Sequence, residues 1–122
     1  MSKRNIVHVE IPAVNVEGAG KFYESLFGWK LQHIPEMNYT MWEDGSGSGG
    51  GFPAVSEESP AGQVLVYIDS DDIEADLKKV EQLGGNVLRE KTEIPGMGWF
   101  GVFQDPTGNV FAIYTSANPA NN

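Results

Sequence analysis

His8 and Glu10 carry the clearest chemical signal in the chain. Side chains two apart on a strand leave it on the same face. An imidazole and a carboxylate placed that way can work as a general base and its orienting partner, or as hydrogen-bond anchors for a bound molecule. The competing reading is a pair of ordinary polar residues on a wet sheet face. Other chemistries are thinly supplied. The sequence has two histidines, the second being His33, and no cysteine, which excludes thiolate metal sites, cysteine nucleophiles and disulfides. No Gly-x-Ser-x-Gly elbow supports a hydrolase triad. The Gly/Ser run over residues 45–51 lacks the Lys-Ser/Thr ending of a phosphate loop. It reads as a mobile rim and a candidate lid.

The elements that must hold His8 and Glu10 follow from periodicity. Residues 5–12 alternate, with Val7, Val9 and Ile11 toward a helix and His8 and Glu10 on the other side. Asn15 offers an N-cap, and Val16, Ala19, Phe22, Tyr23, Leu26 and Phe27 fall at helical spacing up to Gly28. Strands are expected at 29–34 and 39–43 about a turn at 35–38. A short fourth strand is expected at 52–55, with Pro53 suggesting an edge. After a polar stretch at 57–62 the pattern restarts with Val64, Val66 and Ile68. Asp71 and Glu74 have capping-box spacing, and Ile73, Leu77, Val80 and Leu83 mark a helix ending at Gly84-Gly85. Strands follow at 86–92, 99–104 and 109–115, with a frayed tail over 116–122.

The halves correspond in order. Val7, Val9 and Ile11 match Val64, Val66 and Ile68, while Ile34-Pro35-x-Met37-x-Tyr39 matches Ile94-Pro95-x-Met97-x-Trp99. An internal repeat accounts for the whole series. The expected fold is α+β: two tandem βαβββ modules, 5–56 and 63–116 with a linker at 57–62, in one domain of 122 residues. They would form a curved, cup-shaped mixed sheet with helices outside. Apolar residues make up 40% of the chain, so a core forms without staples.

Phe22-Tyr23 followed by Leu26-Phe27-Gly28-Trp29, and Asp105-Pro106-x-Gly108-Asn109 leading into the last strand, resemble the vicinal oxygen chelate superfamily. That group includes glyoxalases, bleomycin-resistance proteins and extradiol dioxygenases. The likeness runs from Asn5 to Tyr114 and is greatest to the glyoxalase-like subgroup related to lactoylglutathione lyase. The resemblance implies four metal-ligand positions, on the first and last strand of each module, around a divalent ion. His8 fills the first. Leu65 and Ala112 occupy two others, and the fourth falls within 51–53, where there is no carboxylate. The metal site therefore reads as degenerate, with His8 a ligand only if a metal is present, and no cofactor is expected. Glu10, His33 or Glu93 would have to complete any metal set.

The resemblance implies a protein that binds a small organic molecule, with His8 and Glu10 as catalytic acid and base for lyase or isomerase chemistry. Tyr67, Tyr114, Trp42, Trp99, Met97, Leu65 and Ala112 are the expected ligand-binding residues. One rival is a non-catalytic sequestering protein of the resistance type. The other is a metal-dependent lyase or dioxygenase with unorthodox ligands. A homodimer is implied by resemblance alone. The net charge of −9 and eight scattered basic residues exclude nucleic acid as a partner. No apolar run suggests a signal peptide or membrane span, and a cytoplasmic location is expected.

Overall fold

The computed structural model describes residues 4–117. Residues 118–122, in the segment read as a frayed tail, lie outside the described residues. The chain divides into two compact units, one formed by Val7–Val66 and the other by the residues up to Ile6 with those from Tyr67 on.

The first unit is built on β1 (Ile6–Glu10), α1 (Val16–Phe27), β2 (Lys30–Ile34), β3 (Tyr39–Glu43) and β4 (Gly49–Gly51). Its strands lie in the order β2-β3-β4-β1, with β4 parallel to β1 and antiparallel to β3. The second unit repeats the scheme with β5 (Leu65–Asp69), α2 (Ile73–Gln82), β6 (Asn86–Ile94), β7 (Gly98–Gln104) and β8 (Val110–Ser116). Its order is β5-β8-β7-β6, with β8 parallel to β5 and antiparallel to β7. The same strand order and pairing sense recur in both units, as duplication of one βαβββ module requires. The fold class is α+β.

Each helix covers one face of its own sheet. In the first unit Val9, Ile11, Tyr23, Trp29 and Leu31 pack around buried Ala13, Trp42 and Phe52. The Trp29 and Trp42 rings stack with centroids 4.0 Å apart. Val7, expected on this side, is instead exposed at the start of its strand. Helical spacing also overstated the buried stripe of α1: Phe22, Leu26 and Phe27 are each more than half exposed. In the second unit Ile73, Leu77 and Ile113 form the core, with Ile68, Val87, Trp99 and Phe103 against it.

The helix ends follow from their capping side chains. Asn15 accepts from the Gly18 amide at 2.9 Å, and Gly28 closes α1 at φ 74°. For α2 the cap is Asp72, which accepts from the Ala75 amide at 3.0 Å, and not Asp71. Neighbouring aspartates give nearly the same sequence signal, and the structure puts the extended cap residue at Asp72.

The fourth strand of the first module is the clearest departure from expectation. It lies at Gly49–Gly51, inside the run read as a mobile lid, and Phe52 beyond it is 1% exposed in the core. The rest of the run is a tight turn. Asp44 donates its amide to Ser48 O at 3.0 Å and accepts from the Ser46 amide and hydroxyl. Space explains the strand glycines: a Cβ on Gly50 would overlap the Val9 carbonyl, and one on Gly49 the Trp42 carbonyl, whereas Gly45 and Gly47 in the turn adopt positive φ.

In the second unit, Arg4 forms a bidentate pair with Asp76, which also accepts from Ser70 Oγ at 2.6 Å. Partial burial pushes the Asp76 carboxyl up, but the Arg4 and Ser70 hydrogen bonds outweigh it and hold the group below its ordinary 3.8. A depressed carboxyl stabilises the fold above its unfolded pKa, and that contribution fades as pH falls through the lower folded value. Asp76→Asn is therefore expected to lower stability by about 1 kcal/mol at pH 7, discounted for solvent exposure, and to converge with the native protein in acid. Urea unfolding at both pH values checks it. At the β7–β8 turn, Asp105 is held down to about 2, chiefly by the Asn109 amide and then by the Thr107 hydroxyl.

Candidate functional site

Strand pairing in the first unit collects a set of polar side chains on the face away from α1. Glu10 pairs with Gly51, Gly51 with Met41, and Met41 with Gln32. Paired residues share a face, and so do residues two apart. His8 and Tyr39 therefore join Glu10 on this face. Tyr39 is aimed there by the turn before it. A 3-10 segment at Pro35–Met37 ends on Asn38, which adopts the left-handed φ of 48° that asparagine tolerates better than most residues.

The three side chains form one hydrogen-bonded line. The Tyr39 hydroxyl donates to Glu10 Oε2 at 2.7 Å and lies 2.9 Å from His8 Nε2. His8 Nε2 and Glu10 Oε2 themselves are 3.8 Å apart. Burial lowers the His8 pKa from its ordinary 6.5, opposed by the nearby Glu10 charge, so the imidazole is neutral at pH 7. A neutral histidine linked to a carboxylate through a phenol can take up a proton and pass charge away from the point of uptake.

His8 also opens on a cleft of about 550 Å³, bordered by Val7, Lys30, Gln32, Met41, Trp42 and Glu43 together with the Gly47–Gly50 segment. Its size suits a small organic molecule. Trp42 borders this cleft while its ring belongs to the α1-side core, 7% exposed, so it is not the free aromatic rim expected. Its indole nitrogen has no hydrogen-bond partner among the described residues.

The remaining expected site residues lie as follows. Leu65 begins β5, and Tyr67 pairs with Ala112 on the sheet face opposite the α2 core, both buried. Tyr114 shares their face and donates its hydroxyl to Met97 O at 2.8 Å, which ties the β6–β7 turn to β8. Met97 is exposed in that turn. Trp99, expected at a rim, packs instead on the α2 side, with the Lys91 ammonium 5.4 Å from its ring centroid. His33 sits opposite Thr40, 3.0 Å from its hydroxyl, and Glu93 opposite Trp99. Tyr39 is the residue that sequence reasoning missed. Its place in the repeat, as the sequence counterpart of Trp99, was visible, but its contact with β1 was not.

The divalent metal implied by resemblance finds a poor donor set. Among the described residues, no three His, Cys, Asp or Glu side chains cluster where they could hold an ion. A catalytic metal asks for about three protein ligands. Here one nitrogen and one carboxylate converge, with a phenol hydroxyl between them.

Residues 5–113 match the model of the Glyoxalase/Bleomycin resistance protein/Dioxygenase superfamily. The chain belongs to that superfamily. A glyoxylase-like domain-containing protein of Didymella fabae is 36% identical over 118 residues, covering 88% of this chain and 90% of its own length. The anthracycline biosynthesis protein DnrV of Streptomyces peucetius is 27% identical over 86% of this chain, which spans only 44% of that relative. Methylmalonyl-CoA epimerase of Mycobacterium tuberculosis shares the fold with a TM-score of 0.71 at 15% identity, covering 98% of this chain and 92% of its own. Membership in this glyoxalase superfamily agrees with the repeated βαβββ topology. Among the described residues no helix is long and apolar enough to cross a membrane.

Proposed function

We propose that this glyoxalase-superfamily protein binds a small carbonyl compound in the cleft beside His8 and moves a proton on it, with His8 as general base and Glu10 as its orienting partner. The observation that carries the reading is the Tyr39 hydroxyl, which joins His8 Nε2 and Glu10 Oε2 into one line at 2.9 and 2.7 Å. Ordinary surface polar residues have no need of such a bridge. Side-chain entropy opposes holding three groups in register, so a bridge of this kind must be over-determined by its surroundings.

Proton transfer beside a carbonyl suits this equipment. A partly buried neutral imidazole is a base near neutral pH, and a hydrogen next to a carbonyl is the acidic carbon hydrogen of small metabolites. The epimerase among the structural neighbours supports the choice of substrate chemistry, since inverting a stereocentre is work a proton base performs. Pairing as a homodimer in the cytoplasm belongs to the same proposal.

The test uses deuterium oxide. The protein is incubated with methylmalonyl-CoA and with small α-hydroxy ketones, and the α-hydrogen signal is followed by proton NMR. Protein-dependent loss of that signal is the expected result. Binding without exchange would overturn the proton-transfer reading and favour a sequestering protein.

A further inference from the structure

Strand pairing puts the residues of the cleft floor in a fixed order. On the face away from α1, Gly49 pairs with Glu43 and Glu43 with Lys30. One step back along the parallel register of Val9 and Gly50, His8 stands abreast of Gly49. His8, Gly49, Glu43 and Lys30 thus form one row across β1, β4, β3 and β2, and all four border the cleft. Neighbouring strands lie about 4.8 Å apart, so Glu43 stands about 10 Å from His8 and Lys30 about 14 Å. Gly49 puts no side chain into the row, which is therefore open between the imidazole and the carboxylate.

The far end of the row carries both signs of charge. Opposite charges facing each other across an antiparallel pair usually hold one another. Among the described residues, however, neither Lys30 nor Glu43 makes an ion pair or a side-chain hydrogen bond, and both are exposed. No other lysine, arginine or carboxylate borders the cleft. A simple anion entering from His8 would meet Glu43 before it reached Lys30, and a simple cation at Glu43 would be opposed by the ammonium beyond it. A carboxylate and an ammonium side by side are the complement of an ammonium and a carboxylate borne on one carbon.

We infer that the compound taken by this cleft is an oxo amino acid, with its carbonyl end beside His8, its ammonium on Glu43 and its carboxylate on Lys30. The inference rests on the proposed function and names the substrate class of the same site. The order along the row sets the order along the ligand: an acidic carbon hydrogen, a short spacer over Gly49, a positive group and then a negative one. Lys30 and Glu43 are specificity residues at the end of the cleft remote from the base.

Four matched ketones test it: butanone, levulinate, the aminobutanone that lacks a carboxylate, and levulinate bearing an ammonium group beside its carboxylate. They carry neither charge, the anion alone, the cation alone, and both. Titration calorimetry on the full chain is expected to give the amino acid the lowest Kd, about tenfold below that of either singly charged ketone. In Lys30→Gln the amino acid should bind no better than the aminobutanone, and in Glu43→Gln no better than levulinate. Lys30→Arg keeps the charge and should keep the preference.

Equal affinities for the four ketones, or binding of none of them, would overturn the inference. So would tightest binding of a singly charged ketone, or a preference that survives both Lys30→Gln and Glu43→Gln. Deuterium exchange that runs equally on all four would leave the proposed function standing and remove the amino-acid specificity. A preference for the amino acid that both substitutions erase, without exchange on any ketone, would remove the proton transfer and leave the recognition standing.

Discussion

Gly50→Ala is expected to destabilise the Val7–Val66 unit by about 3 kcal/mol or more, read by urea unfolding with tryptophan fluorescence. The methyl group would overlap the backbone of Val9 on the neighbouring strand. A flexible side chain could swing aside, but a carbonyl held in the β1–β4 pairing cannot move without opening the ladder. That ladder also seats Phe52, which is fully buried one residue past β4. Strain would therefore spread from strand pairing into the aromatic core around Trp29 and Trp42. Ser48→Ala, an exposed site in the preceding turn, serves as the control and should stay within about 0.5 kcal/mol. Equal stabilities for Gly50→Ala and Ser48→Ala would show that β4 is not squeezed as described.

Gly50 also shows why the sequence misleads at this point. Seven consecutive Gly and Ser residues carry the composition of a loop, because strand signals rest on branched and aromatic side chains. Here the absence of side chains is what lets a strand enter between β1 and β3, and no local signal distinguishes that from flexibility. The neighbouring positions differ in what they press on. Gly50 faces backbone, whereas Gly51 faces the tip of Tyr39, so substitution at Gly51 is expected to displace the phenol and spare the sheet.

Period-two alternation and helical spacing were enough to mark every other strand within a few residues, and the ordered matches between halves disclosed the duplication. His8 and Glu10 were legible as a pair because both lie on one strand. Tyr39 was not, since its approach to them depends on the register of β3 against β4 and of β4 against β1. Pairings remote in sequence leave no trace in local periodicity. Trp42 and Trp99 were misplaced for a related reason. A large aromatic beside a turn fits a rim or a core equally well, and the sheet face it takes decides between them. Trp42 pairs with Leu31 and Gly50 and so faces α1.

His8→Ala is expected to lower the rate of deuterium exchange by about 10²- to 10⁴-fold, the usual worth of a positioned general base. Glu10→Gln keeps an acceptor for Tyr39 but removes the charge, so a smaller loss is expected. The double variant should be no slower than His8→Ala alone, because residues working as one line lose their contribution together. Additive losses would mean that the two act separately. The pH dependence supplies an independent check. Burial lowers the His8 pKa, so its neutral form persists as pH falls below 6.5, and exchange should hold there where an ordinary imidazole would already be protonated. Glu10 opposes that shift by favouring the charged ring. Removing its charge should therefore carry the acid limb of the Glu10→Gln rate profile to still lower pH, even as its plateau drops. A limb that stays where it is would place the carboxylate outside the electrostatic reach of His8, and the bridge through Tyr39 could not then be what ties the base to its partner.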